Sequence, residues 1–324
     1  MISFKEDHIS QIPALLMLEK FGYTYLTPDE ALALRGGNLA NVLLEPVLRK
    51  QLAAINVVQV SSMRTTVFSE QNITAGIDAL RNIPMDEGFM EASQTVYDLL
   101  TSGKTLEQIV DGDRKSFVMQ YIDWKNPRNN VFHVTEEFAV SRTGMTETYR
   151  PDIVLFVNGI PLCVIECKRP DVKDSIEQAI SQHLRNQKAD GIRSLYLYST
   201  LLLAINRQEG SYATTATPEK FWARWREQFA DREAEARYRQ ELERVVNEPL
   251  LDDKLFGERF GYVRRNFEEL YRQPVTPSVQ DEYLCNLCRP ERLLQLMYGF
   301  TLYDDGIKTV SYTHLRAHET RRHL

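Results

Sequence analysis

Apolar side chains recur at the spacing of an amphipathic helix over much of the first third of the chain. Residues 8–22 show this spacing and stop at Gly22, which predicts a first helix. Residues 28–36 and 39–54 predict two more helices, and 74–112 is predicted to be largely helical. We therefore expect the N-terminal part of the chain to be mainly helical.

The pattern changes to that of β-strands after Pro127. Residues 152–157 and 161–168 are rich in β-branched side chains, and the Asn158-Gly159 pair between them is a strong signal for a β-hairpin. A helix is predicted over 174–188, and the remaining strands are predicted in 130–140, 194–200 and 201–206. The order of hairpin, helix and strand predicts a mixed α/β core.

Residues 217–309 are richer in charge and predict helices again. Thr217-Pro218 is typical of an N-cap followed by proline in the first turn, and Phe221, Trp225 and Phe229 recur every four residues. This stripe favours helix packing over a stacking surface for bases. The predicted division is therefore an α/β domain over 1–216, a helical connector over 217–309 and a tail over 310–324.

Composition narrows the class of protein. The 324 residues are 43% hydrophobic and 26% charged, as in folded proteins, and no apolar stretch reaches the roughly 20 residues of a membrane span. We expect a cytoplasmic protein with no membrane contact. The formal charge of −6 disfavours a nucleic-acid binder that works by bulk electrostatics, but a DNA enzyme with a local basic groove stays open.

The tail resembles translated library-adapter sequence. It contains His314, His318 and His323, three of the six histidines in the chain. Because such a sequence has no selected partner, we expect residues 310–324 to pack poorly against the rest of the protein. A His-rich metal site is the less favoured alternative.

Three ionisable side chains of the predicted hairpin carry the candidate chemistry. Period-2 alternation places Glu166 and Lys168 on one face of the second strand, and the hairpin returns the chain so that Glu166 lies close to Asp152. We expect the two carboxylates about 4–6 Å apart, with the ammonium adjacent. Two carboxylates can hold Mg²⁺, and a neighbouring lysine can orient the water that hydrolyses a phosphodiester. The alternative is a cross-strand ion pair on a solvated face.

The wider sequence resembles a known nuclease family. Proline before Asp152, followed by Glu166-Cys167-Lys168 after the hairpin, resembles the PD-(D/E)xK motif. Residues 150–162 and 164–168 resemble the restriction (R) subunit of type I restriction enzymes. The similarity covers roughly 3–309 and includes 21–26, 130–134 and 211–215.

The resemblance assigns roles to particular residues. It implies that Lys168 is the catalytic lysine and that Gln182 matches the glutamine of a Gln-x-x-x-Tyr element, although Asn186 stands where the tyrosine is expected. An acidic residue from the first helix often completes the metal site in such nucleases. The implied Mg²⁺ ligands are Asp152, Glu166 and, as a weaker candidate, Glu6.

The resemblance also implies a fold, an activity and partners. The expected fold is a PD-(D/E)xK restriction-endonuclease-like core, a mixed β-sheet flanked by helices, with a helical C-terminal extension. The expected activity is Mg²⁺-dependent cutting of double-stranded DNA in a complex with methylation (M) and specificity (S) subunits. ATP is expected only for a helicase motor, and 289–309 resembles the lead-in to that motor. A stand-alone repair or junction nuclease, and a non-catalytic module that docks M and S subunits, are the alternatives.

Two other patterns are weaker signals. Gly103-Lys104-Thr105 resembles the end of a Walker A motif, but Asp98 occupies the position of its first glycine, so a helix junction is expected. The four cysteines are expected to be reduced core residues rather than zinc ligands; they are Cys163, Cys167, Cys285 and Cys288.

Overall fold

The computed structural model describes residues 10–61, 64–250, 252–270, 272–304 and 307–310. The helices in these ranges are α1 (Ile12–Lys20), α2 (Pro28–Ala33), α3 (Glu45–Ile55), α4 (Glu70–Arg81), α5 (Phe89–Ser102), α6 (Ser175–Asn186), α7 (Arg193–Tyr196), α8 (Arg232–Asn247), α9 (Arg264–Leu270), α10 (Val279–Leu287) and α11 (Pro290–Phe300). The strands are β1 (Thr24–Leu26), β2 (Val57–Ser61), β3 (Arg64–Val67), β4 (Lys104–Val110), β5 (Asp113–Met119), β6 (Phe132–Glu136), β7 (Val140–Ser141), β8 (Thr148–Tyr149), β9 (Ile153–Val157), β10 (Ile160–Cys167), β11 (Leu201–Ile205), β12 (Gly210–Ala213), β13 (Thr301–Asp304) and β14 (Ile307–Val310).

A six-stranded mixed sheet forms the centre of the molecule, with neighbours in the order β1-β6-β9-β10-β11-β12. The pairs β1/β6 and β10/β11 are parallel, whereas β6/β9, β9/β10 and β11/β12 are antiparallel. Every residue of β9, β10 and β11 is buried, so both faces of these strands are covered. Strands that are covered on both faces have near-continuous apolar sequences, as these three strands do. The predicted mixed α/β core is confirmed.

The turn between β9 and β10 is buried, unlike most hairpin turns. Asn158 and Gly159 both have positive φ, as the Asn-Gly signal predicts, and the Asn158 side chain is fully buried. Its amide donates to the carbonyl of Tyr121 at 3.0 Å and its oxygen accepts from the Val131 amide at 2.9 Å. The Leu44 amide donates to the Gly159 carbonyl at 2.9 Å. The closed end of the hairpin is therefore fixed to three other segments, which sets its register.

Helix α6 crosses over between the parallel strands β10 and β11, because parallel neighbours need such a connection. Ile176, Ala179 and Ile180 form its buried face and pack with Ala204 of β11. The helix predicted over 174–188 is confirmed, and it runs above the end of β10 that carries Glu166.

Residues 104–119 form an exposed β-hairpin, so the prediction that 74–112 is largely helical is wrong in its last part. Strands β4 and β5 pair over their whole length, and their turn is Asp111-Gly112, both with positive φ. Asp-Gly is itself a strong hairpin signal. Gly103, with φ of 79°, ends α5 directly before β4, so the Walker-like triplet is a helix-to-strand junction.

Two predicted elements farther along the chain are also wrong. Residues 193–196 form the short helix α7 instead of the strand predicted over 194–200. Phe221, Trp225 and Phe229 do not share a helix, because Ala223 is extended and exchanges backbone hydrogen bonds of 2.8 and 3.0 Å with Tyr212 of β12. The charge-rich helix begins later, as α8. Pairing with a sheet edge outweighs the local helical spacing in this segment.

The C-terminal helices pack on the α/β core. Helix α10 contacts α1, α8 and β12, and the Tyr23 hydroxyl donates to the Cys288 carbonyl at 2.7 Å. Cys163 of β10 meets Cys288 inside this shared core. The helical character of 217–309 is thus found in α8 to α11, while the domain boundary after residue 216 stays a prediction. A helix with the length and apolar character to cross a bilayer is absent from the described ranges. Most of the tail, 311–324, lies outside the described residues.

Gly159→Ala tests how far the register depends on the buried turn. A Cβ there would lie 2.6 Å from the Leu44 carbonyl oxygen, whereas Gly112 has a similar φ of +87° and open space around it. We expect Gly112→Ala to lower the free energy of unfolding by about 1–2 kcal/mol through backbone strain alone. Gly159→Ala should cost about 3 kcal/mol or more, because overpacking adds to the strain. Equal losses in urea denaturation would contradict this account.

Candidate active site

Asp152 and Lys168 meet at the open end of the β9/β10 hairpin. Asp152 directly precedes β9, and its Oδ2 accepts a hydrogen bond from the Cys167 amide at 2.7 Å. The Lys168 Nζ lies 3.5 Å from the same oxygen and donates to the Cys167 carbonyl at 3.0 Å. The side chains of Asp152 and Lys168 are 16% and 13% exposed, so their charges remain within reach of solvent.

Glu166 lies on the neighbouring strand and is fully buried. Its Oε2 accepts a hydrogen bond from Gln182 Nε2 at 2.6 Å, so α6 positions this carboxyl. Burial raises the pKa of Glu166 well above its usual range, and the charge of Asp152 raises it further. Lys168 acts in the opposite direction. A side-chain hydrogen bond with Asp152 also raises the pKa of Glu166. Apart from a proton shared with Asp152, Oε1 of Glu166 has no hydrogen-bond donor among the described residues. A proton shared with Asp152 or a bound cation would satisfy it.

The side chains present fit a divalent cation. Asp152 and Glu166 are adjacent carboxyls, and one buried oxygen between strand and helix lacks a partner. Within the described part of the chain, no group of three or more His, Cys, Asp or Glu side chains lies close enough together to hold a metal ion. Two carboxylates suffice for Mg²⁺, which usually keeps several waters and takes phosphate oxygens as its other ligands.

The third predicted ligand, Glu6, lies outside the described residues. The start of the first helix nevertheless reaches this site. The Ser10 hydroxyl donates to the Lys168 carbonyl at 2.7 Å, and Gln11 Nε2 donates to the Asp152 carbonyl at 2.9 Å. Ser10 and Gln11, directly before α1, therefore hold the backbone of two site residues, a contact that the sequence pattern did not predict.

Two glutamates that the sequence analysis missed stand beside Asp152. Strand β6 runs antiparallel to β9, so its last residue, Glu136, and the following Glu137 lie beside the start of β9. The Glu137 amide donates to the Asp152 carbonyl at 3.1 Å. Burial raises the pKa of Glu137, and the nearby charges of Asp152 and Glu136 raise it further. The signal in the sequence was a Glu-Glu pair at the end of a strand that pairs with β9.

Glu136, Glu137 and Asp152 line a cleft of about 490 Å³, whereas Glu166 and Lys168 are not among its lining residues. Arg259, Phe260 and Tyr262, from the C-terminal part of the chain, form another wall of this cleft. Arg259 makes a two-pronged ion pair with the fully buried Glu136, with Nε–Oε1 and Nη2–Oε2 distances of 2.7 and 3.2 Å. The cleft is therefore built jointly by the α/β core and the C-terminal segment.

A buried hydrogen-bond network supports α6 behind Gln182. His183 Nε2 lies 3.0 Å from the Leu203 carbonyl, so Nε2 carries the proton and Nδ1 accepts from the Tyr196 hydroxyl, also at 3.0 Å. Burial lowers the pKa of His183 to about 4, which keeps the ring neutral. Asn186, at the position where a tyrosine is expected, lies 3.5 Å from the same hydroxyl. The phenol hydroxyl of Tyr196, in α7, therefore lies beside Asn186.

The fold and site point to a family that sequence comparison establishes. Residues 3–221 match the model of the type I restriction enzyme R protein N terminus. This match covers more than half of the chain, and the chain belongs to that family.

Individual relatives carry corresponding names. The HindI type I restriction enzyme endonuclease subunit of Haemophilus influenzae is 28% identical over 206 residues, which are 61% of this chain and 18% of that protein. The MjaIXP endonuclease subunit of Methanocaldococcus jannaschii, also named for a type I enzyme, is 27% identical over 228 residues, 68% of this chain and 20% of its own length. The matched residues therefore span about a fifth of each relative.

Glu166→Gln tests the buried carboxyl through the pH dependence of stability. The raised pKa means that the folded state holds a proton more tightly than the unfolded state. The contribution of Glu166 to stability is therefore fully present below the ordinary value of 4.5 and is lost as pH rises through the folded value. Glutamine keeps the hydrogen bond with Gln182 and cannot ionise. We expect the melting temperature of the variant to be close to that of wild type at about pH 5 and clearly higher at about pH 8. Each kcal/mol of added unfolding free energy should raise it by roughly 2–4 °C.

The measurement is thermal melting without divalent cations. Glu243→Gln is the matched control, because Glu243 is exposed in the middle of α8. It should follow the wild-type curve at both pH values. A Glu166→Gln variant that is less stable than wild type at about pH 8 would show that Glu166 is ionised and well paired in the free protein.

Proposed function

We propose that this chain carries the Mg²⁺-dependent endonuclease site of a type I restriction enzyme R subunit, with a PD-(D/E)xK arrangement of Asp152, Glu166 and Lys168. The proposed substrate is double-stranded DNA, and the proposed partners are M and S subunits. The observation that carries the proposal is the convergence of two carboxyls and an ammonium at one end of the sheet, with Gln182 on the buried carboxyl. The names of the relatives support the endonuclease assignment.

The residues have distinct roles in the proposed reaction. Asp152 and Glu166 would hold Mg²⁺, which when bound supplies positive charge to stabilise the developing charge on the phosphorus centre. Gln182 fixes the Glu166 carboxyl through Oε2 and so leaves Oε1 available as a ligand. The Lys168 ammonium, held by the Cys167 carbonyl and Asp152, is placed to orient the attacking water and help it lose its proton.

A resting ion pair between Lys168 and Asp152 is the simpler alternative, but it does not account for Glu166. A solvated ion pair has no need of a fully buried second carboxyl whose pKa is raised and whose one oxygen lacks a donor. Such an arrangement costs stability, and a cation would offset that cost. Carboxyl groups whose pKa values are strongly perturbed by burial and by a neighbouring charge cluster at functional sites.

Lys168→Ala and Asp152→Ala should separate catalysis from metal binding. Both variants should abolish DNA cutting by the complete M, S and R complex with ATP. Asp152→Ala should also remove the Mg²⁺-dependent rise in melting temperature of the chain, because a ligand is lost. Lys168→Ala should keep that rise, because the ammonium is not a ligand. Acid–base contributions of this kind are about 10²–10⁴-fold in rate.

Lys115→Ala and Asp113→Ala are matched controls on the exposed β4/β5 hairpin. Both should cut DNA at the wild-type rate. Cutting by the Asp152→Ala complex at that rate would place the active site elsewhere, and a module that only docks M and S subunits would then be the better account. Normal cutting by Lys168→Ala alone would remove the lysine from the mechanism but keep the metal site.

A further inference from the structure

The wall of the cleft that carries Arg259, Phe260 and Tyr262 is well packed against the core. It consists of a single π-helical turn, Leu255–Arg259, followed by a 3-10 turn, Gly261–Val263. Leu255, Phe256 and Val263 are 0–2% exposed and anchor it in the main core. Residues carried by so well-packed a segment keep fixed positions relative to Asp152.

Arg259 is the cation of this wall. Its side chain is 40% exposed, although Glu136, its partner, is fully buried. The carboxylate holds Nε and one terminal nitrogen in the planar two-pronged geometry, and the Tyr25 hydroxyl donates to the same carboxylate at 3.1 Å. The guanidinium is thus oriented by a buried anchor while part of it faces the cleft.

A cation in the cleft would offset the charge of the carboxyls that line it if DNA enters. The sheet side contributes the carboxyls of Asp152, Glu136 and Glu137, which oppose the approach of a phosphate. Lys168 pairs with Asp152 but is not among the residues that line the cleft. Arg259 does line it, and guanidinium groups can bind a carboxylate and a phosphate through different N–H groups.

We propose that Arg259 binds a backbone phosphate of the DNA next to the one that is cut, and so holds the strand across the cleft. The proposal rests on the endonuclease function proposed above. A cleft of about 490 Å³ has the size of a pocket for a small molecule, which suits a short stretch of one strand's backbone. Tyr262, 63% exposed on the same wall, supplies an aromatic surface beside that strand. The C-terminal segment is thereby part of the substrate site.

The test must separate phosphate binding from the structural ion pair. Replacing Arg259 alone would leave Glu136 buried without its partner, which is strongly destabilising. The informative comparison is therefore between Glu136→Gln and Glu136→Gln/Arg259→Gln, since both lack the buried carboxylate. Both are made in the Lys168→Ala chain, which should bind Mg²⁺ without cutting. A fluorescent DNA duplex is titrated with each chain at a series of salt concentrations starting from low salt.

Loss of the guanidinium should weaken binding roughly tenfold and reduce the slope of log K against log salt by about 0.9, the value for one phosphate contact. Arg264→Gln in the Glu136→Gln chain is the control. Arg264 is 37% exposed in the neighbouring helix α9, where it pairs with Asp253 and Glu268. It should change neither quantity.

The proposal would be overturned if the slope of log K against log salt were the same in the double variant as in Glu136→Gln. It would also be overturned if the Arg264→Gln control lost as much DNA affinity as the double variant. Failure of the Lys168→Ala chain to bind the duplex even at low salt would overturn it too. A slope that falls as expected while Asp152→Ala complexes still cut DNA would instead overturn the proposed active site and leave Arg259 as a DNA contact. The two proposals therefore fail in different experiments.

Discussion

The structure depends on one constraint, which is that two carboxyls are brought together at the end of the central strands of an apolar sheet. Glu166 is fully buried, and Asp152 beside it makes its ionisation less favourable still. Such a pair is stable only if its surroundings supply donors and enough apolar burial to offset it. The Cys167 amide, Gln182 and Lys168 are the donors and the cation, while the buried strands β9, β10 and β11 supply the apolar area.

The elements around the sheet hold this end of the central strands in place. Ser10 and Gln11, directly before α1, hold the backbone of Lys168 and Asp152. Helix α6 brings Gln182 to Glu166, and the hydrogen bond between His183 and Tyr196 fixes α6 on its buried side. The C-terminal segment contributes the far wall through a buried ion pair with β6. Core and C-terminal helices share one hydrophobic cluster, so the site and the helical region depend on each other for their shape.

The sequence predicts the site better than it predicts the fold around it. Asp152, Glu166 and Lys168 lie on one hairpin whose Asn-Gly turn and period-2 alternation are local signals, and these determine which side chains meet. The Glu136–Arg259 pair joins residues far apart in the chain, and no local pattern indicates such a contact. The β4/β5 hairpin carried a local signal in Asp111-Gly112, which the helical spacing before it obscured. Helix α7 depends on tertiary contacts of Tyr196 that propensity does not contain.

The buried turn of the β9/β10 hairpin also limits how this chain can change length during evolution. One end of the hairpin is fixed beside α3 and the other presents the carboxyls. The ladder between them already contains one register shift, between Pro161 and Cys163, so a further inserted or deleted residue would displace one of the two fixed ends. A shift of one residue would turn Glu166 to the opposite face of the sheet. At the tip of the β4/β5 hairpin, Asp111 makes an exposed ion pair with Arg64, and Gly112 has open space around it. Length variation within the family should therefore accumulate in that hairpin and be excluded from the one that carries the carboxyls.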